Sequence, residues 1–245
     1  MTARTKRRGI RGWIDKQAFD PDILGVFINP IYLVRRGLQK QLSLWSPSIG
    51  GRLLDIGCGN KPYQGIFPNV TEHIGMEHEA LKERFGGAAD VFYDGKTFPF
   101  PDAHFDSILA TEVLEHVFNP DEFLAETNRV LKPGGSIIVT CPFMWMEHQQ
   151  PHDFARYSSF GVRHLLTSHG FEIIEARKSV RGVTALFQVL GSYLRSVIPF
   201  RNYYLRVLAY VIFIAPFTLL GILFSPFAST DTPLYVDNLI LARKQ

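Results

Sequence analysis

Cysteine is almost absent. Cys58 and Cys141 are the two in 245 residues. They stand far apart, each where a short apolar run meets a loop, so there is neither a disulfide framework nor metal-type cysteine spacing. A reducing compartment is consistent with that usage. Acidic residues are missing before Asp15, where Arg4, Lys6, Arg7, Arg8 and Arg11 crowd together. Such a basic tail either touches lipid or nucleic-acid phosphates or stays solvated. Asp15, Lys16, Asp20 and Asp22 follow at once, which argues against the long apolar stretch of a secretory signal, and the working parts are expected in the cytoplasm. Internal repeats, low-complexity tracts and nucleic-acid recognition modules are all lacking, which excludes solenoids and gives no reason to expect a nucleic-acid partner. The last absence is of charge: none occurs in "VLAYVIFIAPFTLLGILFSPFA", Val207 to Ala228. As one continuous helix that stretch extends roughly 33 Å, enough to span the hydrocarbon of a bilayer.

What is present has the length of one large α/β domain with additions at both ends. "DILGVFINPIYLVRRGLQKQLSLW", Asp22 to Trp45, predicts a helical lead-in broken near Asn29-Pro30. Short apolar runs follow at "RLLDI", "EHIGME", "ADVFYD", "FDSILAT" and "GSIIVTC", with helix-length polar-faced segments between several of them. Strands alternating with helices imply a parallel sheet covered on both faces. One helix is expected after Asn119 as N-cap, with Pro120 in the first turn, Asp121 and Glu122 on the dipole, and "LKPGG" stopping it. A second is expected from Ser159 to His169 between a serine cap and Gly170. "FEIIEARKSV" and "LYVDNLILAR" read as two last strands, with the uncharged segment between them.

"LLDIGCGNKPY", Leu53 to Tyr63, carries the most chemical information. A strand running straight into Gly57-Cys58-Gly59 makes a tight turn whose missing side chains let backbone N–H groups approach a ligand. Glu77, ending "HIGME", stands where the next parallel strand would deliver an acid to ribose hydroxyls. Together they define a nucleoside site at the carboxyl edge of a doubly wound sheet. Pro62 occupies the place of the third glycine that dinucleotide folds use to bring a helix onto pyrophosphate, which argues against NAD.

Four blocks, "LLDIGCGNKPY", the acid in "GME", "YDGKTFPFPDAHFDSILATEVLEHV" and "RVLKPGGSIIVTCP", resemble the class I S-adenosylmethionine-dependent methyltransferases, in particular the type 11 group. They cover roughly Arg52 to Pro142 in order and spacing. The resemblance implies an α/β, Rossmann-like, doubly wound seven-stranded sheet of order 3-2-1-4-5-7-6, with strand 7 antiparallel and an apolar helical insertion between strands 6 and 7. It implies S-adenosylmethionine as cofactor, with Asp55, Gly57 and Gly59 around its amino-acid part and Glu77 on the ribose. It also implies Asp94 and Gly95 at the adenine edge and Thr111 and Glu112 at the methionine end. Carboxylates suit the sulfonium and ammonium charges of that cofactor. Taken alone, Asp55 can equally serve loop amides, Asp94-Gly95 a plain turn, and Glu112 a helix start.

Methyl transfer to a hydroxyl or amine needs a proton acceptor on the loops after strands 4 and 5. His152 with Asp153 in "MEHQQPHDFARYS" is the first candidate for a base and its electrostatic partner, and His116 in "LEHV" the second. His148, Arg156 and Tyr157 are candidates to grip an anionic or sugar substrate, and Tyr157 can equally pack beneath the following helix. The "HDFARY" block resembles a loop in type 11 members of glycan assembly, which implies a sugar hydroxyl as acceptor. No metal site is expected, because Glu147, His148, His152 and Asp153 share one proline-interrupted loop.

The expected organisation is a basic tail and helical lead-in over 1–45, a methyltransferase domain over 46–182 and 231–245, and an apolar insertion over 183–230. The last strand must return to the sheet, so a single membrane crossing is excluded. Pro216 can break the segment into a shallow hairpin of Val207 to Ala215 and Phe217 to Phe224. Alternatively, Val183 to Leu194 pairs with it on one leaflet, with Arg195, Arg201 and Arg206 at the headgroups. A helical cap or a homo-oligomer interface is the competing reading. The expected activity is methylation of a lipid-linked or other amphiphilic acceptor at the inner membrane face. A prenylated quinone precursor is the rival acceptor, and a non-catalytic scaffold the rival class.

Overall fold

Leu53, Leu54 and Ile56 have no exposed surface, and neither have Ile108 and Leu109. A parallel strand covered on both faces has no polar side to alternate, which is why these runs read as continuously apolar. In the computed structural model, which describes residues 9–17, 19–85, 87–227 and 232–245, the strands are β1 (Gly50–Ile56), β2 (Asn69–His78), β3 (Val91–Tyr93), β4 (Phe105–Thr111), β5 (Leu131–Pro142), β6 (Phe171–Arg181) and β7 (Tyr235–Lys244). The helices are α1 (Ile10–Gln17), α2 (Gly25–Ile28), α3 (Tyr32–Trp45), α4 (Lys82–Phe85), α5 (Pro120–Val130), α6 (Ser159–Ser168), α7 (Val183–Val197), α8 (Tyr203–Phe213) and α9 (Ala215–Phe224). The strands form one sheet of order β3-β2-β1-β4-β5-β7-β6. β1, β2, β3, β4 and β5 pair in parallel, while β7 runs antiparallel to β5 with Val139 opposite Ile240 and Cys141 opposite Asn238. This is the expected doubly wound sheet, with apolar helices between its sixth and seventh strands.

The chain divides into two compact units. The first contains Gln41–Arg177 and Asp237–Gln245. Its core sets Leu54, Ile56, Met76, Phe105 and Ile137 of the strands against Phe123, Leu124 and Val130 of α5 and Val162 and Leu166 of α6. Burying each such side chain is worth about 1.5–3 kcal/mol. α6 is capped as expected, the Ser158 hydroxyl accepting from Gly161 N–H at 3.1 Å, and Gly170 follows it with φ +77°. Two details differ from expectation. Asn119 stands at the N-cap of α5 but makes no side-chain cap bond, its amide meeting the Glu122 carboxylate at 3.4 Å instead. "LKPGG" opens β5 rather than forming a stop, because α5 gives way to extended backbone already at Leu131.

The second unit joins the lead-in, up to Lys40, to Lys178–Val236. The break near Asn29-Pro30 falls between α2 and α3 as expected, and α1 is a helix the sequence reading did not anticipate. The basic cluster Arg4, Lys6, Arg7 and Arg8 lies outside the described residues. Within this unit α7 packs on α9. Thr184 Oγ1 donates to Gly221 O at 3.1 Å, and a side chain at Gly221 would meet Leu33 Cδ1 at 2.8 Å. Gln188, buried, donates to Pro30 O at 2.9 Å and to Ser192 Oγ at 3.0 Å. Tyr203–Phe227 is long and apolar enough to cross a membrane, with mean hydropathy 2.5 and only 33% of its most apolar window buried. It stays one helix interrupted at Ile214, just before Pro216. Of the two arrangements weighed, pairing with the 183–194 segment is therefore the one adopted. Leu186, Leu190 and Tyr193 on α7, and Leu208, Ile212 and Leu223 on α8 and α9, remain exposed.

Candidate active site

The glycine turn ends β1 with Gly57 at φ +64° and Gly59 at φ +52°. A β-carbon on Gly57 would stand 2.5 Å from Val113 Cγ2, whereas one on Gly59 would meet nothing closer than Phe85 at 3.9 Å. Left-handed backbone and close approach both require glycine at the first position, whereas at the second it is the left-handed backbone alone that favours it. Gly57 and Cys58 donate to Met76 O at 2.9 and 3.2 Å, tying the turn to the end of β2. Glu77 closes it: one carboxylate oxygen accepts from Gly59 N–H at 3.0 Å and the other from His78 N–H at 3.0 Å. Burial raises the Glu77 carboxyl above its usual range, against those two bonds. Each oxygen keeps a free lone-pair direction for a ligand hydroxyl.

Asp55 is 2% exposed and bonds the His73 ring at 3.0 Å. It therefore already serves a protein partner, and burial raises its carboxyl. Asp94 accepts from Lys96 N–H at 2.9 Å and Thr97 N–H at 3.3 Å. Its side chain closes a turn, while Gly95 lets the His78 ring approach to 2.7 Å of where a β-carbon would stand. Lys61 explains the unusual "NKPY" stretch: its ammonium pairs with Asp90, and Asp90 also accepts from Gly75 N–H at 2.7 Å. That clamp was not anticipated, since nothing near Lys61 in sequence announces Asp90.

Thr111 ends β4, and Glu112 follows it with φ +55°. This strained backbone is held from β5. Glu112 N–H donates to Thr140 O at 2.9 Å, and Thr140 Oγ1 donates to the Glu112 carboxylate at 2.7 Å. Three residues on, Glu115 is 0% exposed, and neither of its carboxylate oxygens has a hydrogen-bond partner. Desolvation, with Glu112 nearby, pushes its carboxyl well above the usual range. His116 Nε2 stands 3.7 Å and His148 Nε2 3.9 Å from Glu115 Oε1. The sequence reading missed Glu115. Its one signal was a position in "LEHV" directly beside a histidine already considered.

The expected pairing of His152 with Asp153 is not formed. Asp153 binds the Arg156 guanidinium through both oxygens at 2.6 Å and accepts from His148 N–H at 2.8 Å. His152 is exposed and contributes its carbonyl to the His116 ring. The Arg156 guanidinium, three residues on, takes both Asp153 oxygens instead. Arg156 also donates to Trp145 O, Met146 O and Ala155 O, so it serves as a clasp inside the loop rather than as a free grip for substrate. Asp153 is held down to about 2 mainly by that arginine. Tyr157 packs against the core, which pushes its hydroxyl up to about 12. It fills the packing role weighed above. From the same loop His148 brings its Nε2 to 3.9 Å of Glu115 Oε1, beside His116.

S-adenosylmethionine fits what is present. Among the described residues only the Phe85 ring comes within 4 Å of where a Gly59 β-carbon would stand, Glu77 has lone pairs that a ribose hydroxyl could use, and buried carboxylates at Asp55 and Glu77 favour a cationic ligand. Residues 54–139 match the methyltransferase domain family. An O-methyltransferase of Penicillium expansum, cnsE, is 28% identical over 173 residues, covering 60% of this chain and 62% of that protein. A ubiquinone biosynthesis O-methyltransferase of Maricaulis maris is 32% identical over 144 residues, covering 49% of this chain and 54% of that one. The chain thus spans between half and two thirds of the length of these relatives. Phosphoethanolamine N-methyltransferase 2 of Haemonchus contortus, solved with phosphomonomethylethanolamine and S-adenosylhomocysteine, superposes with a TM-score of 0.56 over 98% of this chain and 59% of its own. At 14% identity that likeness is one of fold. With glycine turn, acid at the end of β2, strand order and matched family in agreement, the chain carries a class I S-adenosylmethionine-dependent methyltransferase domain.

Proposed function

We propose that the protein methylates a hydroxyl of a sugar carried on a lipid-linked or cell-surface glycan intermediate, at the cytoplasmic face of the membrane. The observation that carries this reading is the presence, in one chain, of the glycine-turn and Glu77 site and of a paired-helix segment with an exposed apolar surface. Bound S-adenosylmethionine would supply the electrophilic methyl group. The chain's own residues orient it through Gly57, Gly59 and Glu77. At the methionine end the turn from Thr111 to Glu112 is fixed by Thr140. The cluster of buried Glu115 with half-buried His116 and His148 takes the proton-accepting place expected of His152. Burial lowers the His116 pKa, so its ring is neutral near pH 7 and able to accept.

The membrane reading rests on the α7 to α9 segment. Exposed Arg195, Arg201 and Arg206 all lie at the connection between α7 and α8. A hairpin inserted tip-first would carry three guanidiniums into hydrocarbon, at about 2.5–3.5 kcal/mol each. The segment is therefore read as lying along one leaflet, its apolar surface immersed and its arginines at the headgroups. Because α7 follows β6 and β7 follows α9 in the chain, such an anchor is tethered to the catalytic sheet at both ends.

Likeness to a ubiquinone biosynthesis enzyme supports a second acceptor, a prenylated quinone precursor, which also lives in the bilayer. Mass spectrometry of lipids and glycans from a deletion strain separates the two. Loss of a methyl ether from a glycan supports the first reading, and accumulation of a demethylated quinone precursor overturns it in favour of the second.

A further inference from the structure

We infer that Glu115, His116 and His148 form a binding site for a borderline first-row divalent cation of the zinc type. One Glu115 carboxylate oxygen and one imidazole nitrogen from each of His116 and His148 lie within 4.8 Å of one another, and it is the Nε2 atoms that stand near Glu115 Oε1. Two histidines and one carboxylate are a recurrent donor set for such ions. Ligand atoms around an ion at about 2.0–2.2 Å stand roughly 3–3.5 Å apart. The two measured separations from Glu115, 3.7 and 3.9 Å, exceed that by a few tenths. Small rotations of the two rings close the difference.

Three further observations point to a ligand. Glu115 is fully buried, and neither oxygen has a hydrogen-bond partner. A carboxylate withdrawn from water without compensation costs several kcal/mol, and an ion between it and the two rings supplies that compensation. Next, both imidazoles are oriented from behind. His116 Nδ1 bonds the His152 carbonyl. His148 Nδ1 lies 3.3 Å from Met146 O and 3.4 Å from Asp153 Oδ2. With its proton on Nδ1, each ring turns the Nε2 lone pair toward Glu115, the arrangement by which outer partners fix metal-binding histidines; the Arg156 guanidinium also lies 3.5 Å from His148 Nδ1. Finally, the local charge favours a cation: Glu112 and Asp237 act on Glu115 with the same sign, while the nearest cation, Arg156, is matched by Asp153.

Gln149 bears on the remaining coordination. Its amide nitrogen lies 3.0 Å from His116 Nε2. Rotation of that amide places its oxygen toward the ion as a further ligand. The four residues first weighed for a metal do not converge: Glu147 and His152 are exposed and Asp153 is held by Arg156. An ion at the observed cluster keeps open positions for a hydroxyl and lowers its pKa, which makes the acceptor's proton easier to remove. Binding of the ion follows from the cluster alone and stands whatever the methyl acceptor is.

The test uses the full chain, stripped with a chelator and titrated with Co²⁺ while its visible absorption is followed, then challenged with Zn²⁺. One Co²⁺ per chain, displaced by Zn²⁺, is expected. Glu115→Gln and His148→Ala should each weaken Co²⁺ binding about 100-fold or more, and Asp153→Asn by about 10–100-fold through the His148 ring. S-adenosylhomocysteine affinity, measured on every variant, reports whether the fold is intact. Should Glu115→Gln fail that control, His148→Ala on the loop carries the comparison. Absence of saturable Co²⁺ binding to the unsubstituted chain, or binding that survives substitution in a folded variant of either ligand, overturns the inference.

Discussion

Replacing Gly57 with alanine adds two separable costs. The residue sits at φ +64°, and left-handed backbone with a β-carbon costs about 1–2 kcal/mol. The new β-carbon also stands 2.5 Å from Val113 Cγ2, an overlap that the partly buried valine relieves only by displacement, at about 1–3 kcal/mol. The total is about 3 kcal/mol, and for a chain of this size each kcal/mol lowers Tm by about 2–4 °C. Gly57→Ala is therefore expected to unfold roughly 6–12 °C below the unsubstituted protein in thermal denaturation. Putting the same change into a Val113→Ala background removes the overlap and leaves the backbone cost, so the loss should shrink by about half. In calorimetric titration, S-adenosylhomocysteine affinity should fall about tenfold or more in both backgrounds, because displaced amides no longer meet the ligand. A Gly57→Ala protein that binds S-adenosylhomocysteine like the unsubstituted chain would refute the placement of the cofactor at this turn.

The Asp153 and Arg156 clasp makes a pH-dependent contribution. Its carboxyl is depressed from 3.8 to about 2, so the stabilisation is complete above the first value and lost as pH falls through the second. Asp153→Asn should cost about 2 kcal/mol at neutral pH and flatten that part of the acid limb, as read by urea unfolding across the acid range. Lys61→Met breaks the clamp to Asp90 and should raise the Kd for S-adenosylhomocysteine about threefold to tenfold through a looser turn, with only a small loss in Tm because Asp90 is half exposed to solvent. The double change Leu208→Glu and Ile212→Glu should release the chain from the membrane fraction in carbonate-free flotation while leaving S-adenosylhomocysteine binding intact. Continued flotation of that variant would count against the leaflet reading.

Patterns confined to neighbouring residues were legible in the sequence. Gly57, Gly59 and Glu77 stand at the turn and strand end that their spacing implies, and Pro216 falls just after the interruption it was expected to cause. The capping of α6 by Ser158 is equally local. What could not be read depends on pairs that the chain brings together from afar. Lys61 meets Asp90, Asp153 turns to Arg156 instead of its neighbour His152, and the buried Glu115 is met by the loop after β5. Phe154 and Ala155 N–H both donate to the Glu115 carbonyl, at 2.8 and 3.2 Å, and no local pattern announces such a contact. The joining of the lead-in to the 178–236 segment has the same origin: Gln188 reaches Pro30 across more than half the chain.

The central claim is methyl transfer from S-adenosylmethionine to a membrane-held sugar hydroxyl. Its most direct measurement supplies the purified full chain with S-adenosylmethionine carrying a tritiated methyl group and with membrane lipids fractionated into lipid-linked glycans and prenylated quinone precursors. Label should enter the glycan fraction as a base-stable methyl ether and fall about tenfold or more with Gly57→Ala at subsaturating cofactor. Label confined to the quinone fraction, or no transfer to either, would contradict the account.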